Sequence, residues 1–123
     1  MDNGGIMKEN IIKEKSFLFS LKIIQLYKFL CEEKKEYVLS KQVLRSGTSI
    51  GALVREAEHA ESKPDFIHKM GIALKEANET EYWLELLFKS EYIDKTKFES
   101  IQKDVQEILK LLISIIKSSK NLT

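Results

Sequence analysis

The 123-residue chain has few of the residues that cross-link a chain or interrupt helices: one cysteine, one proline and five glycines. A single thiol, Cys31, excludes an intramolecular disulfide, and no paired cysteines and histidines offer a zinc site. The only proline, Pro64, falls near the middle, so that long helices can occupy both halves of the chain. These scarcities favour an all-α domain in a reducing cytoplasm.

Long hydrophobic runs are also missing. The most apolar window, residues 108–116, is interrupted by Lys110 and Ser114 and is much shorter than the roughly 20 residues of a membrane helix. The first ten residues lack the apolar core of a signal peptide. We therefore expect no membrane span, a cytoplasmic location, a frayed N-terminus over residues 1–9 and one domain over residues 10–120.

Neither sign of charge is in excess, because 20 Lys and Arg residues stand against 19 Asp and Glu residues. The distribution is uneven. Residues 34–55 carry five basic side chains and one acid, Glu36, whereas residues 65–91 carry six acids and three lysines. The pattern predicts a basic helix followed by an acidic one.

Apolar residues recur at spacings of three and four along most of the chain, which predicts four helices. The first helix should run from about Asn10 or Ser16 to Lys34, and the second from a Ser40 N-cap to about Ala60. Their predicted core positions are Phe19, Ile23, Leu26, Leu30, Leu39, Val43, Ile50, Val54 and Ala57.

The third helix has the clearest start, because Ser62 to Asp65 forms a capping box with proline in the first turn. It should end near Lys89, and Asp94 or Thr96 can cap the fourth helix. Their predicted core positions are Phe66, Met70, Ala73, Ala77, Leu84, Leu87, Phe98, Ile101, Val105, Ile108, Leu112 and Ile115. Four helices of roughly 20 residues joined by short loops predict an up-down-up-down antiparallel four-helix bundle that is at least about 60% helical.

The first and fourth helices are apolar around much of their circumference. Leu21 and Ile24 extend the surface of the first, and Leu111, Ile113 and Ile116 that of the fourth. A small monomer cannot cover so much apolar surface, so we expect a contact with a second copy of the chain.

Two glycines inside the second helix, Gly47 and Gly51, each cost about 1 kcal/mol relative to alanine. Their spacing of four places both on one face. They therefore predict a close approach by another backbone, from a neighbouring helix, another subunit or a nucleic acid.

No arrangement of residues predicts catalysis. The pairs Glu56/His59 and Asp65/His68 have the spacing found in di-iron bundles, but the first pair flanks the core position Ala57 and Asp65 is already assigned to a cap. Nucleophile triads and phosphate-binding glycine loops are absent from the sequence. We expect no enzymatic activity, no metal and no cofactor.

Several segments match a known family in order and spacing: LRSGTSIGA at residues 44–52, EA at 56–57, DF at 65–66 and ALKEA at 73–77. The chain resembles the bacterial four-helix bundle proteins encoded within 23S ribosomal RNA intervening sequences. A related branch, the accessory variability determinant proteins of diversity-generating retroelements, forms a five-subunit barrel whose basic surface binds nucleic acid and a reverse transcriptase. The resemblance therefore implies a homopentamer, with RNA or DNA and a further protein as partners.

The candidate nucleic-acid contacts are Lys41, Arg45 and Arg55. Lys41 and Arg45 lie one turn apart on one face of the second helix, and Arg55 lies within a quarter turn of that line. In the alternative, carboxylates of the third helix hold both arginines, and the protein is an assembly or adaptor module that binds no nucleic acid. The carboxylates that could hold the arginines in this way are Glu76, Glu79 and Glu85.

Overall fold

A computed structural model describes residues 3–121, which form four α-helices. The helices are α1 (Asn3–Glu32), α2 (Leu39–Glu58), α3 (Lys63–Lys89) and α4 (Lys95–Asn121). They hold 87% of the described residues, and no strand occurs in that range. Each helix packs against its neighbours in sequence, and α1 also packs against α4, which closes the ring. This architecture confirms the predicted all-α four-helix bundle.

The core lies on the bundle axis and is built from one apolar stripe of each helix. Buried residues recur at spacings of three and four in α1 and α4, as expected for side chains that interdigitate in an antiparallel bundle. The predicted stripes are buried or pack at the edge of this core. At the end where α3 meets α4, the rings of Phe88 and Phe98 stack at 4.5 Å.

Helix α1 begins earlier than predicted. It starts at Asn3, so the predicted start at Asn10 or Ser16 is wrong, and residues 3–9 of the expected frayed segment are helical. Residues 1 and 2 of that segment lie outside the described range. Ser16 is buried inside the helix, where its hydroxyl donates to the carbonyl oxygen of Lys13. Tertiary contacts hold the early turns, because Ile12 is buried and Lys8 donates to Ser114 at 2.8 Å.

Helix α2 is capped by a residue from the preceding turn. The Glu36 carboxylate accepts hydrogen bonds from the backbone N–H groups of Val38, Leu39 and Ser40 at 3.2, 3.0 and 2.7 Å. It is buried, and it places negative charge at the positive end of the helix dipole. The prediction of Ser40 as the cap is therefore wrong: Ser40 lies within the first turn, and its side chain is buried.

The starts of α3 and α4 follow local rules. The Ser62 hydroxyl accepts from the Asp65 N–H at 3.2 Å, which confirms the predicted cap of α3. Asp94 caps α4 by accepting from the Lys97 N–H at 2.8 Å. This bond decides between the two predicted caps, Asp94 and Thr96.

Candidate functional site

The predicted cations of α2 all lie on its solvent-facing side. Lys41, Arg45 and Arg55 are exposed, because the opposite face of the helix carries the core residues. The rise of about 1.5 Å per residue places Lys41 and Arg55 roughly 21 Å apart along the helix. The three side chains are therefore spread along the length of α2, and the surroundings of each side chain decide what it can bind.

Arg45 is held by the acidic helix α3. Its guanidinium donates from Nη1 to Glu76 at 3.1 Å and from Nη2 to Glu79. The indole Nε1 of Trp83 donates to the same Glu79 oxygen at 2.9 Å. Burial lowers the pKa of Arg45, but the hydrogen bonds and attraction of both carboxylates outweigh it and raise the pKa above its ordinary value. The arginine therefore clamps α2 to α3, as the alternative interpretation expected for this residue.

Arg55 and Lys41 are in different surroundings. The Arg55 guanidinium lies 5.2 Å from the centre of the Phe17 ring of α1, on the side of α2 away from α3. Lys41 has no hydrogen bond or ion pair among the described residues. The structure thus leaves two of the three predicted cations outside the carboxylate clamp, near opposite ends of α2.

The two glycines of α2 serve the contact with α1. A Cβ atom on Gly47 would lie 2.8 Å from Cγ1 of Ile23, and one on Gly51 would lie 3.3 Å from the backbone oxygen of Ser16. Of the three predicted origins for a close approach, the structure supports the neighbouring helix, whose backbone lies against Gly51 and whose Ile23 side chain lies against Gly47. On the other side of α2, the buried hydroxyls of Ser46 and Thr80 share a hydrogen bond of 2.9 Å. The segment of residues 44–52 is thus built for packing within the chain.

Helix α1 carries a second apolar seam on the side away from the core. We call Met7, Ile11, Leu18 and Leu21 the outer seam. Their spacings of four, seven and three match a coiled-coil pattern in which Glu14 fills one position. Met7, Leu18 and Leu21 are 62%, 54% and 47% exposed. Of the two residues predicted to extend the apolar surface of α1, Leu21 belongs to this row, whereas Ile24 is half-buried and lies outside it.

The paired carboxylate and histidine positions stay on the surface. Glu56, His59 and His68 are exposed, and Asp65 is engaged at the start of α3. Among residues 3–121 no three His, Cys, Asp or Glu side chains gather where they could hold a metal ion. None of the four helices in this range combines the length and the hydropathy that a membrane span requires.

Comparison with solved structures gives a close relative. A crystal structure from Bacteroides thetaiotaomicron, described as a protein of unknown function from the S23 ribosomal protein family, shares 64% sequence identity with this chain and superposes with a TM-score of 0.89. The match covers 89% of this chain and 98% of the other. The curated proteins compared with the chain include no match.

A family model, by contrast, spans most of the molecule, from the first turns of α1 to the second half of α4. It describes the 23S rRNA-intervening sequence proteins and matches residues 8–114, a range that contains the Arg45 clamp and the glycine contact. The relation to accessory variability determinant proteins stays a prediction. The chain belongs to the 23S rRNA-intervening sequence protein family.

Proposed function

We propose that this protein is a non-enzymatic assembly protein that forms a closed homo-oligomer, a pentamer, and binds RNA or DNA through its basic surface. The observation that carries the proposal is the outer seam of α1. A bundle helix needs one apolar face to pack in its own subunit, and α1 has two, on opposite sides. The second face matches what an interface with another copy requires.

The free energy of association is favourable only if the outer seam packs on apolar surface of the neighbouring subunit. Burying the exposed half of a large aliphatic side chain contributes about 1 kcal/mol, so the four seam residues contribute roughly 4 kcal/mol. Association costs at least about that much in lost freedom of motion. The partner must therefore add apolar area of its own. A closed ring repeats this contact at each subunit.

The assembly is tested by removing the seam. Native mass spectrometry and light scattering of the wild type should give five times the chain mass of 14.3 kDa. The double variant Leu18→Asp/Leu21→Asp should give monomers with an unchanged helical circular dichroism spectrum. Val38→Asp/Tyr82→Asp is the matched control, because it removes two exposed apolar side chains outside the seam.

The outcomes separate the parts of the proposal. A wild-type monomer at micromolar concentration would overturn the assembly. A dimer that Leu18→Asp/Leu21→Asp dissociates would keep the seam and overturn the pentamer. Wild type that binds neither RNA nor DNA at low salt would favour the alternative, an assembly or adaptor protein without nucleic-acid binding.

A further inference from the structure

Helix α4 carries the largest excess of positive charge among the four helices. This helix carries six lysines and three acids. Lys103, Lys110 and Lys117 recur every seven residues, which places them in one row because the helix drifts by only about 20° per heptad. All three side chains are exposed. We call these three residues the lysine row.

The lysine row has no internal partner. None of its ammonium groups makes a hydrogen bond or ion pair among the described residues. The row faces away from the core, whose α4 side is formed by Ile101, Val105, Ile108, Leu112 and Ile115. Consecutive lysines lie about 10.5 Å apart along the axis, so the row spans roughly 21 Å.

Two of the three carboxylates of α4 are paired with lysines of α1. Glu107, between the first two lysines of the row, is paired with Lys15 at 3.3 Å. Asp104 is paired with Lys22 at 2.6 Å. Glu99 lies one turn before Lys103 and makes no ion pair among the described residues. The lysines of α1 thus offset two of these three negative charges and leave the row with a net positive surface.

Building on the proposed function, we propose that the lysine row binds the sugar-phosphate backbone of RNA or DNA and is the main nucleic-acid contact of the protein. Lysine suits this task, since it acts as a point charge that needs no fixed geometry and positions a polyanion without reading its sequence. Arg45 on α2 is already neutralised by Glu76 and Glu79. The row of α4 therefore replaces the α2 face as the strongest candidate surface.

Other anionic partners match the row less well. A helix that lies on a membrane needs a continuous apolar face for the lipid, whereas the core stripe of α4 is buried in the bundle and, within Lys95–Asn121, Ile113 is the only large apolar side chain of this helix that is exposed. The residues that contribute most to binding in protein interfaces are enriched in tryptophan, tyrosine and arginine. Helix α4 has no arginine, and its one aromatic residue, Phe98, packs against the core. A phosphate backbone requires spaced positive charge alone.

The test is a mobility-shift titration with three variants of the full chain, on single-stranded RNA, duplex RNA and duplex DNA. Lys103→Gln/Lys110→Gln/Lys117→Gln should weaken binding roughly tenfold or more at 50 mM salt and reduce the slope of log K against log salt by up to about 0.9 for each phosphate that is no longer neutralised. The matched control removes three exposed lysines elsewhere: Lys34, Lys75 and Lys89, each changed to Gln. The third variant is Lys41→Ala/Arg55→Ala on α2.

The expected result is a loss of affinity in the lysine-row variant alone, with oligomeric state and melting temperature unchanged. Equal loss in the matched control would overturn the proposal, because binding would then follow total charge. Loss only in the α2 variant would return the site to α2. If wild type binds no nucleic acid, the nucleic-acid part of the proposed function fails, whereas wild-type binding that the lysine-row variant retains defeats this inference alone.

Discussion

At the scale of single residues, Gly47 and Gly71 show that the same residue type has opposite roles in two helices. A Cβ on Gly47 would meet Ile23, which is fully buried, at 2.8 and 2.9 Å, whereas a Cβ on Gly71 would have no heavy atom within 4 Å. Real Cβ contacts are longer than those at Gly47, so Ile23 would have to move. Glycine is thus required at Gly47 and costs stability at Gly71.

Gly47→Ala should lower the free energy of unfolding by about 1 kcal/mol or more, because overpacking against Ile23 outweighs the gain in helix propensity. Gly71→Ala is the matched control and should raise it by up to about 1 kcal/mol. Urea unfolding at one fixed protein concentration measures both. A Gly47→Ala protein as stable as the wild type would contradict the close contact between α1 and α2.

The residue-level predictions succeeded where the interaction is local. Ser62 and Asp94 cap their helices from positions just outside the first turn, and their spacing to the N–H donor is visible in the sequence. The pairing of Arg45 is open at the level of sequence, because it depends on which carboxylates of α3 come into register with α2. The register of α2 against α3 is set by the packing of the two helices along their full length, and no local sequence pattern encodes it.

At the scale of elements, the start of α2 depends on one carboxylate in a loop. Glu36 lies outside the helix and accepts from three N–H groups that the helix itself cannot satisfy. In the sequence it is one charge among several in residues 32–36 and is typical of a solvated turn. Only the folded loop shows that it is buried.

Glu36→Ala should lower the free energy of unfolding by about 2 kcal/mol, since it removes a buried cap with charge-assisted hydrogen bonds. Glu33→Ala is the control, because Glu33 is exposed in the same turn and should change stability by less than about 0.5 kcal/mol. Thermal or urea unfolding followed by circular dichroism distinguishes them. Equal effects of the two variants would show that Glu36 does not cap the helix.

Element boundaries were predicted well where apolar periodicity begins or ends at a cap, and poorly for α1. The first turns of α1 contain Gly4 and Gly5 and lack a cap sequence, so intrinsic propensity argues against a helix there. Burial of Ile12 and the tie from Lys8 to α4 favour the helix nonetheless. Tertiary packing overrides local preference in this case.

At the scale of the whole molecule, the net charge does not show how the charged side chains are distributed over the surface. Charge counted in blocks along the chain finds the basic α2 and the acidic α3, but one of the two arginines of α2, Arg45, is paired with carboxylates of α3. The lysine row of α4 becomes visible only when charges are sorted by helix face and the ion pairs from α1 to α4 are known. The lysine row, which we propose as the nucleic-acid contact, was therefore not predicted from the sequence.

The proposed ring also predicts how the whole molecule unfolds. When an oligomer unfolds to separate chains, mass action makes its stability depend on protein concentration. For a pentamer, each tenfold increase should stabilise each chain by about 1 kcal/mol and raise the melting temperature by roughly 4 °C. Leu18→Asp/Leu21→Asp, which removes half of the outer seam, should melt at a lower temperature that does not change with concentration. Calorimetry over a hundredfold range of protein concentration compares the melting temperatures of the two proteins. A wild-type melting temperature that does not change with concentration would show that the protein is a stable monomer, in which the outer seam of α1 is exposed to water.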